Sequence, residues 1–156
     1  MPARASPRAL HVAEPPAAFA RRPRLVVDTT VVAATVFGEA NESLAVASMQ
    51  ARALSAPHLL DYEMASVALK KVRRERRPQA AVAEALLLFA QLPIERHAVD
   101  AAGVLALAER YRLTAYDAAF LWLADRLQAP LATFDATLAR AAQDHLAGGE
   151  EKGRSE

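Results

Sequence analysis

The chain has 156 residues, a hydrophobic fraction of 53% and a formal net charge of +1, which suits one domain with a substantial core and excludes a disordered chain. It has no cysteine, so disulfides, thiolate zinc sites and a cysteine nucleophile are excluded together. No uninterrupted apolar run reaches the length of a membrane span, and the N-terminus lacks the apolar stretch of a secretory signal. A cytoplasmic protein that does not engage a membrane is expected.

Residues 1–23 hold five of the nine prolines, with Arg4, Arg8, Arg21 and Arg22 against the single acid Glu14. They read as a flexible leader outside the fold. Leu25-Val26-Val27 is a short buried strand that ends in Asp28 and two threonines. Helical spacing runs from about Glu42 to Ala53, and Pro57 then marks a break. A helix follows from about His58 to Arg74. Pro78 lies near the start of the next helix, which carries Ala85 to Phe89. Pro93-Ile94-Glu95 is a short strand, Val99 to Arg110 a helix, and Thr114 opens a helix that ends near Leu127. Pro130 to Phe134 reads as the last strand, and Asp135 opens the last helix. Residues 148–156, beginning Gly148-Gly149-Glu150, read as a disordered, solvated tail, which leaves a domain over 24–147. Strands separated by helices require parallel pairing. The fold class is therefore α/β, a short parallel sheet with helices on both faces. In such sheets ligands bind beyond the carboxyl ends of the strands, where Asp28 and Asp135 are both expected.

Four acids stand out. Asp28 follows a strand, where it serves either as an N-cap or as a metal ligand supported by the Thr30 hydroxyl. Glu63 lies three after Leu60 and four before Val67, on the apolar stripe of its helix. A carboxylate there must be paired, protonated or bound to a cation, and a salt bridge to an arginine is the plain alternative. Asp117 follows Thr114 in a Thr-x-x-Asp pattern that resembles a capping box, yet it also aligns with the inward residues Phe120, Leu121 and Ala124. Asp135 follows Thr133-Phe134 and again suits a cap. Asp61 and Asp125 read as surface residues. Each of the four has a structural explanation alone; their joint placement points to a shared site. Oxygen ligands of this kind suit Mg²⁺ or Mn²⁺, and such a site suits hydrolysis of a phosphodiester.

The segments Leu25-Val26-Val27-Asp28-Thr29-Thr30-Val31, Pro57-His58-Leu59-Leu60-Asp61-Tyr62-Glu63-Met64-Ala65, Leu113-Thr114-Ala115-Tyr116-Asp117-Ala118-Ala119-Phe120 and Pro130-Leu131-Ala132-Thr133-Phe134-Asp135 resemble, in that order, the four acid-bearing pieces of PIN domains. The likeness covers roughly residues 24–146. It is nearest to VapC-type toxins of toxin–antitoxin pairs. The resemblance implies a PIN-like three-layer fold and an Mg²⁺- or Mn²⁺-dependent endoribonuclease. It implies a homodimer held in check by a small antitoxin, with RNA as substrate. It makes Asp28, Glu63, Asp117 and Asp135 the catalytic, metal-holding quartet, with Thr30 and Thr133 as hydroxyl supports. The proline- and arginine-rich leader departs from the family pattern. Two other readings remain: a PIN-like module that binds RNA or protein without catalysis, and a structure-selective DNA nuclease.

The run Lys70-Lys71-Val72-Arg73-Arg74-Glu75-Arg76-Arg77 reads as a solvated helix end, with a phosphate-contacting edge as the alternative. His11, His58, His97 and His145 show no ligand spacing and read as incidental. Trp122 suits core or dimer surface, and the Ala/Leu-rich helix at 80–90 suits a dimer face or the monomer's own core. No glycine-rich phosphate loop and no Gly-x-Ser-x-Gly elbow is present, against nucleoside-triphosphate and serine-hydrolase chemistry.

Overall fold

The computed structural model describes residues 21–152, with side chains described as far as Gly148. Most of the leader read over 1–23, and residues 153–156 of the tail, lie outside the described residues. The elements run β1 (Arg24–Val27), α1 (Thr29–Phe37), α2 (Glu42–Met49), β2 (Ala53–Pro57), α3 (Leu59–Arg73), α4 (Gln79–Gln91), β3 (Ile94–His97), α5 (Ala101–Tyr111), α6 (Ala115–Leu127), β4 (Leu131–Ala132) and α7 (Ala136–Lys152).

The four strands form one parallel sheet in the order β3-β2-β1-β4. Two helices fill each crossover, as parallel neighbours require. Helices α1 to α4 pack on one another, and α6 packs on both α5 and α7 and against β1, β2 and β4. This is the expected α/β architecture. β1 is a central strand, and its Leu25, Val26 and Val27 are all buried, which explains a continuous apolar run in place of alternation. α6 buries Ala118, Ala119, Phe120, Leu121, Leu123 and Ala124, so it is apolar over most of its circumference and lies at the centre of the molecule.

β2 replaces the end of the helix expected from Glu42 to Ala53: α2 stops at Met49 and a strand begins at Ala53. The chain leaves α2 at Met49, takes a left-handed turn at Ala51 (φ 57°) and enters the sheet at Ala53. Ala-Leu-Ser-Ala-Pro has almost none of the β-branched or aromatic residues that mark strands. Its small side chains suit a strand between β1 and β3 that is buried from Leu54 to Pro57. The last strand is also shorter than the expected Pro130–Phe134, with only Leu131 and Ala132 paired to β1. α7 continues through Gly148 and Gly149 to Lys152, so the boundary drawn at 147 falls inside a helix; two glycines weaken a helix without ending it.

The basic run is not a solvated helix end throughout. Lys71 is only 4% exposed, with its ammonium 2.7 Å from Glu39, 3.5 Å from Glu75 and over the Phe37 ring. Arg77 donates to the Phe37 carbonyl at 2.9 Å. The run thus clasps the C-terminal end of α1, where Gly38 takes the left-handed conformation (φ 62°) that ends the helix. His145 is not incidental either: its ring joins the Tyr111 hydroxyl at 3.0 Å and Asp125 at 3.3 Å, tying α7 to α5 and α6. On α4, Val82, Ala85 and Phe89 are buried while Leu87 and Leu88 are exposed. Among the described residues no helix is long and apolar enough to cross a membrane.

Trp122 packs against Gly103, where α5 meets α6: a methyl group added at Gly103 would run into the indole. Glycine-to-alanine replacement inside a helix ordinarily stabilises by about 1 kcal/mol. Here overpacking reverses the sign, so Gly103→Ala should lower stability by about 1–3 kcal/mol. Urea denaturation checks this, and a gain in midpoint would show that the α5–α6 contact is loose.

Candidate active site

The parallel sheet brings the carboxyl ends of β1, β2 and β4 to one edge, and each hands the chain to a site residue. β1 ends directly before Asp28, which caps α1. β2 leads through His58 into α3, whose second turn carries Glu63. β4 leads through Thr133 to Asp135, whose Oδ1 accepts from the Leu138 N–H at 2.7 Å and caps α7. Asp117 enters from the first turn of α6, where the Thr114 hydroxyl accepts from the Asp117 N–H at 3.1 Å. The Thr-x-x-Asp pattern is thus a half capping box. Threonine performs the capping, and the Asp117 carboxylate is left to face the cleft.

All four acids line one cavity of about 630 Å³, together with Thr29, Thr30, Leu59, Tyr62, Ser66, Val67 and Tyr116. Asp28 is buried and held from three sides. Its Oδ1 accepts from the Thr29 N–H at 2.7 Å, and its Oδ2 accepts the Thr30 and Thr133 hydroxyls, each at 2.7 Å. Both hydroxyls are oriented in turn: Thr30 Oγ1 accepts from the Phe134 N–H at 3.0 Å, and Thr133 Oγ1 from the Asp135 N–H at 2.9 Å. Thr30 and Thr133 thus both donate to the same oxygen of the Asp28 carboxylate. Thr29 was passed over in the sequence, yet its hydroxyl donates to Glu63 Oε2 and links α1 to α3. Glu63 is half-buried, displaced by one helical step from the fully buried Leu60–Met64–Ala68 stripe. Asp61 is exposed and bound by the Arg96 guanidinium at 2.9 Å, outside the site.

No lysine, arginine or histidine lines the cavity, and among the described residues none of the four acids forms an ion pair. The salt bridge weighed for Glu63 is not there. Burial raises the Glu63 pKa; the Thr29 hydroxyl offsets this in part, and the charges of Asp28 and Asp117 raise it further. Burial likewise raises Asp117, with Asp135 and Asp28 adding repulsion against the opposing Thr114 bond. Among the described residues no three acids or histidines already stand in a ligating arrangement; the four line a shared cavity without converging on one point. As a donor set they are nonetheless oxygen-only and anionic, with no cationic partner among the described residues, which is the chemistry that hard divalent cations take.

A model of the PIN domain matches residues 25–144. The chain belongs to the PIN domain family. Relatives include a VapC ribonuclease of Mycobacterium bovis, 31% identical over 119 residues, which span 76% of this chain and 91% of that protein. Ribonuclease VapC3 of Pyrobaculum aerophilum is 33% identical over 121 residues, which span 74% of this chain and 92% of that protein. A crystal structure of a Pyrobaculum aerophilum protein superposes with a TM-score of 0.62 at 20% identity, covering 81% of this chain and 89% of the other. That likeness is one of fold. The four-stranded parallel sheet is thus the frame on which this PIN domain mounts its acids.

The raised pKa values carry a stability consequence. A carboxyl whose pKa is higher in the folded state binds more protons folded than unfolded, so stability falls as pH rises from the unfolded to the folded value. In EDTA, the double substitution Glu63→Gln with Asp117→Asn should therefore raise Tm by a few degrees at pH 7. The gain should shrink as the pH drops through the raised range and vanish below about pH 4. Thermal denaturation across pH checks it; a lower Tm at pH 7 would mean that these acids stabilise the fold.

Proposed function

We propose that this PIN domain is an endoribonuclease that hydrolyses RNA phosphodiester bonds with Mg²⁺ or Mn²⁺, and that it acts as the toxin of a toxin–antitoxin pair. The observation that carries the metal-dependent chemistry is the set of four carboxylates on one cavity with no protein cation to neutralise them. The names of the VapC relatives support RNA as the substrate. The VapC likeness fits a small antitoxin as partner; for a homodimer, the exposed Leu87 and Leu88 of α4 are available apolar surface.

Asp28, Glu63, Asp117 and Asp135 would hold the cation. When bound, it supplies charge to a phosphate and lowers the pKa of a water molecule. The residues themselves do the positioning. Asp28 accepts three hydrogen bonds and keeps lone-pair capacity; its hydroxyl partners already donate their only protons and cannot turn away. Burial raises the Glu63 pKa, and the Thr29 hydroxyl offsets part of that by donating to the carboxylate and fixing its direction. The raised pKa values of Glu63 and Asp117 make protons compete with a cation for these oxygens, so metal affinity should rise with pH.

The test is cleavage of an RNA pool by purified protein. Cleavage should require Mn²⁺ or Mg²⁺ and stop in EDTA. Asp28→Asn and Asp117→Asn should each lose at least about 100-fold in rate while keeping a cooperative melt. Thr133→Val, which removes one hydroxyl from Asp28, should lose about 10- to 100-fold, the usual effect of a group that orients a ligand. Cleavage that survives EDTA or Asp28→Asn would contradict the site.

A further inference from the structure

The acid cavity also carries two tyrosines that the chemistry above does not use. Tyr62 is 75% exposed and Tyr116 is 63% exposed, and both line the cavity. Each comes one residue before an acid, Glu63 on α3 and Asp117 on α6. Consecutive residues on a helix point about 100° apart, so an acid turned into the cleft places its neighbour at the rim. Neither tyrosine hydroxyl makes a hydrogen bond among the described residues, the Tyr111 hydroxyl being the only tyrosine group that does. Two large aromatic side chains thus stand in water, without a hydrogen-bond partner among the described residues, on the cavity that carries the four carboxylates.

We propose that Tyr62 and Tyr116 are base-stacking platforms that hold the RNA strand by its bases at the rim of the acid cavity. The proposal rests on the ribonuclease reading and deepens it. An acidic cavity repels the phosphates of its substrate, and no basic side chain lines it to offset this. Stacking on an aromatic face is attraction that is indifferent to charge and to base identity, and single strands are held this way on aromatic platforms. Paired bases present no free face to such a ring, so a duplex gains nothing from either tyrosine.

The experiment compares two fluorescent ten-nucleotide probes in Mn²⁺, one a single-stranded RNA of mixed sequence and one an all-abasic strand of equal charge. Anisotropy is read for the intact chain and for Tyr62→Ala, Tyr116→Ala and the two Tyr→Phe variants, with probe integrity followed on gels. Each alanine variant should lose roughly 5- to 100-fold in affinity for the RNA and keep its weak affinity for the abasic strand, while phenylalanine restores binding. Both side chains are exposed, so the melts should be unchanged; should an alanine variant fail to fold, Tyr62→Leu and Tyr116→Leu, which keep bulk without an aromatic face, take its place and should show the same loss. Equal binding of both probes by the intact chain, equal losses on both probes, or a change of oligomeric state in the variants would overturn the proposal. Cleavage without base-dependent binding would sink the platforms alone; base-dependent binding without cleavage would support them and remove the nuclease reading.

Discussion

A carboxylate that is 4% exposed at the end of the central strand is the constraint around which the rest is arranged. Removing a lone anion from water costs several kcal/mol unless the protein replaces the lost hydrogen bonds. The Asp28 carboxylate recovers them from one backbone N–H and two hydroxyls, and those hydroxyls are fixed by backbone donors of Phe134 and Asp135. The joint between β1 and α1 is thereby locked to the joint between β4 and α7, more than a hundred residues away in sequence. The bonds solvate Asp28 without neutralising it. The negative charge remains, and it is felt at Glu63 and Asp117, whose pKa values it helps to raise.

Holding four acids around one cavity works against folding, and the opposing force comes from apolar burial on the same helices. Leu60 and Met64 are fully buried beside Glu63, and Phe120 and Leu121 beside Asp117. Each helix is anchored by these side chains, so the acids cannot relax apart by moving the backbone. Lys71, Glu39 and Arg77 secure the far end of α1 in the same sense. A protein that spends stability on repulsion of this kind has a site that gains from a cation.

The parts visible in the sequence were those with a local cause. The Leu25-Val26-Val27 run, the helix starts at Thr114 and Asp135, and the positions of the four acids carry short-range signals of period or capping, whereas Thr133 as a hydroxyl support is implied by the resemblance to PIN domains alone. β2 was not visible because its identity depends on the strands around it: Ala53 to Pro57 is small and weakly strand-forming, and it is a strand because β1 and β3 lie beside it. Lys71 was misread because its partners, Glu39 and Phe37, are more than thirty residues away. The Thr29–Glu63 bond has the same long-range origin, although a second threonine straight after the strand acid was a hint. Tyr62 and Tyr116 were quoted within their motifs without a role, since sequence cannot show that a tyrosine is both exposed and at a cavity.

The central claim is that the acid cavity is a cation site. Calorimetric titration of Mn²⁺ into the metal-free protein tests it most directly, with Asp28→Asn and Asp117→Asn as companions. Saturable binding by the intact chain that is lost or weakened at least tenfold in both variants is the predicted result. Equal heats in all three proteins, or no binding by a cooperatively folded intact chain, would contradict the account.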